Sequence, residues 1–359
     1  MIKKILAELQ ALTDQKPVFI MEVCGTHTVA VYRSGIAGLL PKNLRLISGP
    51  GCPVCVTSES DFYRFFTLSR KKGIIIATFG DLLRVPAGKT SLEKERTKGA
   101  DIRIVYSPMD ALTIAEENPA KSIVFLGIGF ETTAPAIAGV VLEAKQKNLK
   151  NFFLLSALKT IPMAMEALLN FSKVRIDGYL CPGHVSVIIG SRPYRFISEK
   201  YHRPAVITGF QPEDILKGLL LILKQIKSGK PKVEIQYRVA VHPEGNEVAQ
   251  KLIQRVFTVG PASWRGLGVI PKTGLKLRME FQQFDGQKQF NLPEGEIIKP
   301  NPACRCGAVI TGAITPEDCG QFRQKCTPEK PLGPCMVSVE GTCAAHYKYN
   351  KIITTVRLT

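Results

Sequence analysis

The stretch SIVFLGIGFETTAP (122–135) decides the fold. Ser122–Ile128 is a short apolar run rich in β-branched residues. Gly127 and Gly129 then open a turn, with Thr132 or Thr133 placed to cap the helix that begins near Pro135. Strand, glycine turn and helix in that order are the unit of a parallel α/β sheet. The same pattern recurs in both directions. Runs at 18–23, 44–48, 73–79, 101–106, 151–157, 177–181 and 205–210 read as further strands, with amphipathic stretches between them. The reading is therefore α/β, with two doubly wound parallel-sheet domains of four strands each, divided near Asn118–Pro119. A polar Gly/Pro segment, KSGKPK (227–232), marks a second boundary, and a helix is expected near Asn246–Val256. The expected domains are 1–118, 119–230 and 231–359, the last ending in a cysteine-rich segment.

Composition narrows the function. The chain has 359 residues, 45% of them hydrophobic, so a sizeable core needs no disulfide staples. The formal net charge is +18, but it is spread along the chain with no basic tail or aromatic–basic stretch, which disfavours nucleic-acid binding. The most apolar helical stretch, Ile215–Ile226, is interrupted by Lys217 and Lys224, and residues 1–15 read as an amphipathic helix rather than an export signal. A cytoplasmic protein with no membrane partner is expected. Its 10 cysteines then point to metal binding or redox chemistry. No Walker A motif is present: LRVPAGKT (83–90) has Leu83 where the first glycine belongs.

Two cysteine motifs follow early strands. In CGTH (24–27), Thr26 or Thr28 is placed to cap a helix, leaving Cys24 near a helix start that favours its thiolate. In CPVC (52–55) the pair resembles a redox dithiol. Thr57 or Ser58 is the expected cap of the next helix, with Asp61 completing a capping box. Cys24, His27, Cys52 and Cys55 also permit a structural zinc site of three cysteines and one histidine. CPGH (181–184) and TGF (208–210) repeat the strand–turn logic, and Cys181 and His184 read equally as packed loop residues or ligands. Finally, Cys304, Cys306, Cys319, Cys326, Cys335 and Cys343 lie within 40 residues, a density suited to an iron–sulfur cluster or a four-cysteine zinc site. Spacing alone does not select four ligands.

Together, MEVCGTHT (21–28), SGPGCPVC (48–55), GFETTAP (129–135), CPGHVSVIIG (181–190) and CTPEKPLGPCMVSVEGTCAAHY (326–347) resemble the hydrogenase maturation factor family HypD. The resemblance runs from about residue 18 to 347. It implies two α/β domains, an iron–sulfur domain and a role as the scaffold that builds the Fe(CN)2CO group of [NiFe]-hydrogenases, rather than a turnover enzyme. It implies Cys24 as the thiolate holding the transient iron that carries CN and CO, with His27 beside it, and Cys52 and Cys55 as a redox dithiol. The family spacing C-x14-C-x6-C-x16-C falls on Cys304, Cys319, Cys326 and Cys343 as ligands of a [4Fe–4S] cluster. Cys306 and Cys335 are left as a dithiol beside it. The implied partners are a HypC-like small chaperone and a HypE-like cyanide donor. The alternative reading is a cluster-dependent thiol/disulfide oxidoreductase.

Overall fold

The computed structural model describes residues 1–13, 16–293 and 296–356. Its strands are β1 (Val18–Glu22), β2 (Leu44–Ser48), β3 (Ile74–Thr78), β4 (Asp101–Ile104), β5 (Ser122–Gly127), β6 (Phe152–Ser156), β7 (Gly178–Cys181), β8 (Ala205–Ile207), β9 (Val233–Ile235), β10 (Phe257–Trp264) and β11 (Gly268–Leu277). The eight strands expected from the sequence are β1 to β8. With β9 they form two all-parallel sheets, one ordered β2-β1-β7-β8-β9 and the other β4-β3-β5-β6. The α/β class with two parallel sheets and a cysteine-rich C-terminal region is what the structure shows.

Alternation along each strand builds the packing. Ile20 faces a layer with Ile5 and Leu9 of the helix Ile2–Leu12 and Leu216 and Leu219 of the helix Pro212–Ser228, while the next residue, Met21, faces the opposite way. On β3, Ile75 joins an outer layer with Ile137 and Val141, and Ile76 faces inward. This is the two-residue period of a strand buried on both faces. The inward faces meet: Met21 and Tyr179 of the first sheet share one core with Ile76 and Val124 of the second.

The strands do not divide at Asn118–Pro119. β3 to β6 form a sheet inserted between β2 and β7, so the first sheet draws on both chain halves. Hydrophobic runs identify strands but say nothing of partners, and Pro119 occupies only the turn between the helix Asp110–Glu117 and β5. Beyond KSGKPK, β9 follows directly and pairs with β8, so the first sheet takes a strand from past residue 230. The helix Glu247–Val256 forms as expected, with Asn246 as its cap. The sequence reading missed the antiparallel hairpin β10–β11, which lies across the end of β6: Ser156 Oγ donates to the Leu275 carbonyl at 2.7 Å. Among the described residues the C-terminal segment forms no core cluster of its own. Cys306, Ile310 and Cys335 join the core shared by the two sheets. Residues 357–359 of the expected third domain lie outside those described. No helix among the described residues is long and apolar enough to cross a membrane.

Candidate functional site

The loops that matter lie at the carboxyl ends of the first sheet, where open α/β sheets take ligands. β1 ends at Glu22, and Cys24 stands at the start of the helix Gly25–Arg33. Neither threonine caps that helix. Thr28 donates its hydroxyl to Glu22 Oε1, and Thr26 donates to Glu340 Oε1 at 2.8 Å. Glu22 Oε2 in turn accepts the Cys24 backbone N–H at 3.2 Å. Carboxylates, not the hydroxyl caps, thus fix the turn. Burial pushes Glu22 up to about 8 despite the hydrogen bonds from Thr28, Ser48 and Cys24.

The Cys24 thiol is buried, and that burial raises its pKa to about 12, with Glu340 and Glu22 adding to the rise. The expected lowering at a helix start is overridden, because desolvation of a thiolate outweighs the N–H groups of one turn.

His27 is fully buried and turns toward the β8 loop. Its Nε2 lies 3.0 Å from the Gly209 carbonyl and 3.1 Å from Thr208 Oγ1. Burial lowers its pKa to about 4, so the neutral ring donates from Nε2 to Gly209, and Nδ1 is without a partner. The Phe210 ring lies between two histidines, with centroids 4.8 Å from His27 and 4.0 Å from His184. The imidazole of His27 is therefore held against the β8 loop and makes no hydrogen bond to the Cys24 thiol.

CPVC adjoins CGTH. Gly25 N–H donates to the Gly51 carbonyl at 3.2 Å, and a β-carbon at Gly51 would strike the Cys24 backbone. Cys52 and Cys55 form a disulfide at the start of the short helix Pro53–Val56. Ser58 and Asp61 make the expected capping box of the helix Glu59–Ser69. With Cys52 bonded to Cys55 and the His27 ring held by Thr208 and Gly209, these four residues form no zinc set. Among the described residues, no group of three or more His, Cys, Asp and Glu side chains is arranged to hold a single metal ion.

The C-terminal cysteines reach the same place. The helix Pro53–Val56 packs against the helices Cys306–Ile310 and Pro334–Val337, and the helix Gly25–Arg33 against Thr342–Val356. Cys304, Cys306, Cys319, Cys326, Cys335 and Cys343 all line one pocket, with Val309, Phe322, Leu332 and Met336 as apolar walls. Thiols connect in the order Cys304, Cys306, Cys335, Cys343, so the two spare cysteines sit between two of the expected ligands. The Leu332 N–H donates to Cys326 Sγ at 3.4 Å, and Gly333 leaves room that a β-carbon would deny to Cys304 Sγ. Soft donors, an apolar wall and an N–H directed at sulfur fit an iron–sulfur cluster, whose thiolates bind separate irons and need not converge on one point. The pocket gathers six thiols and does not by itself separate four ligands from two.

Cys181 is buried at the end of β7, and His184 stacks on Phe210 beside it. The GFETTAP turn comes from the other sheet. Thr133 stands at the start of its helix without a side-chain capping bond. Glu131 is buried, its Oε1 accepting the Ile161 N–H at 2.9 Å and its Oε2 unpartnered; burial raises it to about 7. Glu22, Glu131 and Glu340 were not singled out by the sequence reading. Glu22, an acid ending an apolar strand, carried a usable signal; Phe210 carried none.

Fold and site together define a thiol-rich α/β protein in which strand-end loops pack against the segments that form a C-terminal cysteine pocket. The family model HypD, described as "Hydrogenase formation hypA family", matches residues 1–350. The chain is 44% identical over 339 residues to "Hydrogenase maturation factor HypD" of Cupriavidus necator, covering 92% of this chain and 89% of that one. It is 43% identical over 340 residues to the protein of the same name from Escherichia coli, covering 94% and 91%. A third relative, from Rhodobacter capsulatus, is 42% identical over 357 residues, covering 97% and 95%. The chain belongs to the HypD family.

Proposed function

We propose that this protein acts in [NiFe]-hydrogenase maturation as the scaffold on which the Fe(CN)2CO group is assembled. The supporting observation is the packing of the CGTH and CPVC segments against the segments that carry the six-cysteine pocket, in a HypD-family chain. Cys24 anchors the iron, which is cargo. A buried thiol kept neutral in the free protein releases its proton when a metal takes it, so loading is coupled to proton release. The Cys52–Cys55 disulfide accepts two electrons and two protons to become a dithiol, and returns them when the bond re-forms. Cys304, Cys319, Cys326 and Cys343 hold a [4Fe–4S] cluster, which supplies one-electron chemistry when bound, and Cys306 and Cys335 are the adjoining dithiol. Cys24 cannot fill an iron's coordination alone, so a HypC-like small chaperone completes the site and a HypE-like donor brings cyanide, all in the cytoplasm.

The oxidoreductase reading accounts for the disulfide and the cysteine pocket but leaves the packed CGTH turn without a task. Infrared spectroscopy of the complex purified with the small partner separates the two. Cys24→Ala should retain C-terminal iron and lose the cyanide and CO stretching bands. Bands of wild-type intensity would overturn the anchoring role.

A further inference from the structure

A second cavity, of about 340 Å³, lies away from the cysteines, beneath the β10–β11 hairpin at the carboxyl end of β6. Among its described lining residues, Arg64, Lys159 and Lys276 face a single carboxylate, Asp61. Asp61 is already saturated. Its Oδ2 accepts from the Ser58 N–H at 3.1 Å, the Ser58 hydroxyl at 2.8 Å and Lys159 Nζ at 3.0 Å, while Oδ1 takes Arg64. Burial would raise the Asp61 carboxyl, but Lys159 and Arg64 hold it at about 2, so it stays an anion.

The donors are not used up. Arg64 spends one nitrogen on Asp61 and another on Gln287 Oε1 at 2.6 Å, and its buried Nε has no partner among the described residues. The Lys159 side chain is 3% exposed and, among the described residues, uses its three N–H groups on Asp61 and the Ala157 carbonyl. Lys276, on β11, makes no ion pair among the described residues. Burial lowers its pKa, and the charges of Arg64 and Lys159 lower it further, against Asp61 and Asp285. Asp285 commits its Oδ1 to the backbone, accepting the Gln287 N–H at 2.9 Å and the Lys288 N–H at 3.4 Å. A buried ion pair accounts for Lys159 and Asp61. It does not account for the additional cations converging on the same cavity.

From this surplus of buried donors over acceptors we infer that the cavity is a binding site for a small oxyanion of the phosphate class. Such a ligand presents acceptors only, matching the groups left over, and guanidinium with ammonium is the donor set that suits it. The cavity opens at a strand carboxyl end, but on the sheet opposite the cysteine loops, so this site serves a ligand distinct from the iron.

Equilibrium dialysis of the full chain against radiolabelled inorganic phosphate tests the assignment, with glycerol phosphate as a second arm. Saturable binding that weakens with added salt is expected. Lys276→Gln should weaken it at least tenfold, and Lys276→Arg should restore it. Among the described residues Lys276 contributes to no buried pair, so both variants should fold; circular dichroism and denaturant midpoints check this. Tight binding of inorganic phosphate alone supports a free anion as ligand, and equal binding of the ester supports a phosphate carried on a larger molecule. Absence of saturable binding by the wild-type chain, or unchanged binding by Lys276→Gln, would overturn the site.

Discussion

Thr26 donates its hydroxyl to Glu340 at 2.8 Å across 314 residues of sequence. This bond ties the CGTH turn to the segment that continues into Cys343, and so couples the thiol at a strand end to the cysteine pocket. The bond is partly buried, so its loss should cost about 1 kcal/mol of stability. Glu340→Ala should lower the urea midpoint slightly and speed alkylation of Cys24, while iron content stays at the wild-type level. Unchanged alkylation would show that the tie does not guard Cys24.

The six thiols of the pocket should differ in consequence. Alanine at Cys304, Cys319, Cys326 or Cys343 should abolish bound iron, sulfide and charge-transfer absorption in anaerobically purified protein. Alanine at Cys306 or Cys335 should leave them in place. Loss of iron in Cys335→Ala together with its retention in Cys304→Ala would reverse the ligand assignment.

Cys52 and Cys55 should interconvert between disulfide and dithiol. Thiol trapping along a redox titration should give a two-electron transition that Cys52→Ser eliminates. A pair that stays oxidised over the whole accessible range would restrict CPVC to a structural role.

Glu131 makes stability depend on pH. Burial raises its folded-state pKa to about 7 from 4.5, so the folded protein holds a proton that the unfolded chain releases. That contribution is complete below the unfolded value and is lost as pH rises through the folded one. Its size is on the order of 3 kcal/mol. His27, lowered to about 4, acts in the opposite sense below its unfolded value, so the comparison is with a variant. Glu131→Gln retains an acceptor for the Ile161 N–H. Its stability relative to wild type should therefore improve steadily from pH 4.5 to 7.5 in denaturant titrations. A constant difference would remove Glu131 as the source.

Sequence alone determined what depends on neighbours along the chain. Eight strands were legible because a five-residue apolar run between glycine turns has few alternatives, and the Ser58–Asp61 capping box because it spans one helical turn. The cysteine motifs were legible as chemistry, since soft ligands at that density have few other uses. Tertiary structure decided everything that rests on pairing between distant segments. It placed β3 to β6 as an insertion, because a strand's apolar run does not name its partner. It turned His27 away from the thiol toward Gly209 and joined Glu340 to Thr26. It also set the surroundings of Cys24: a helix start favours a thiolate, but burial is set by the whole fold, and here desolvation pushes the thiol up to about 12.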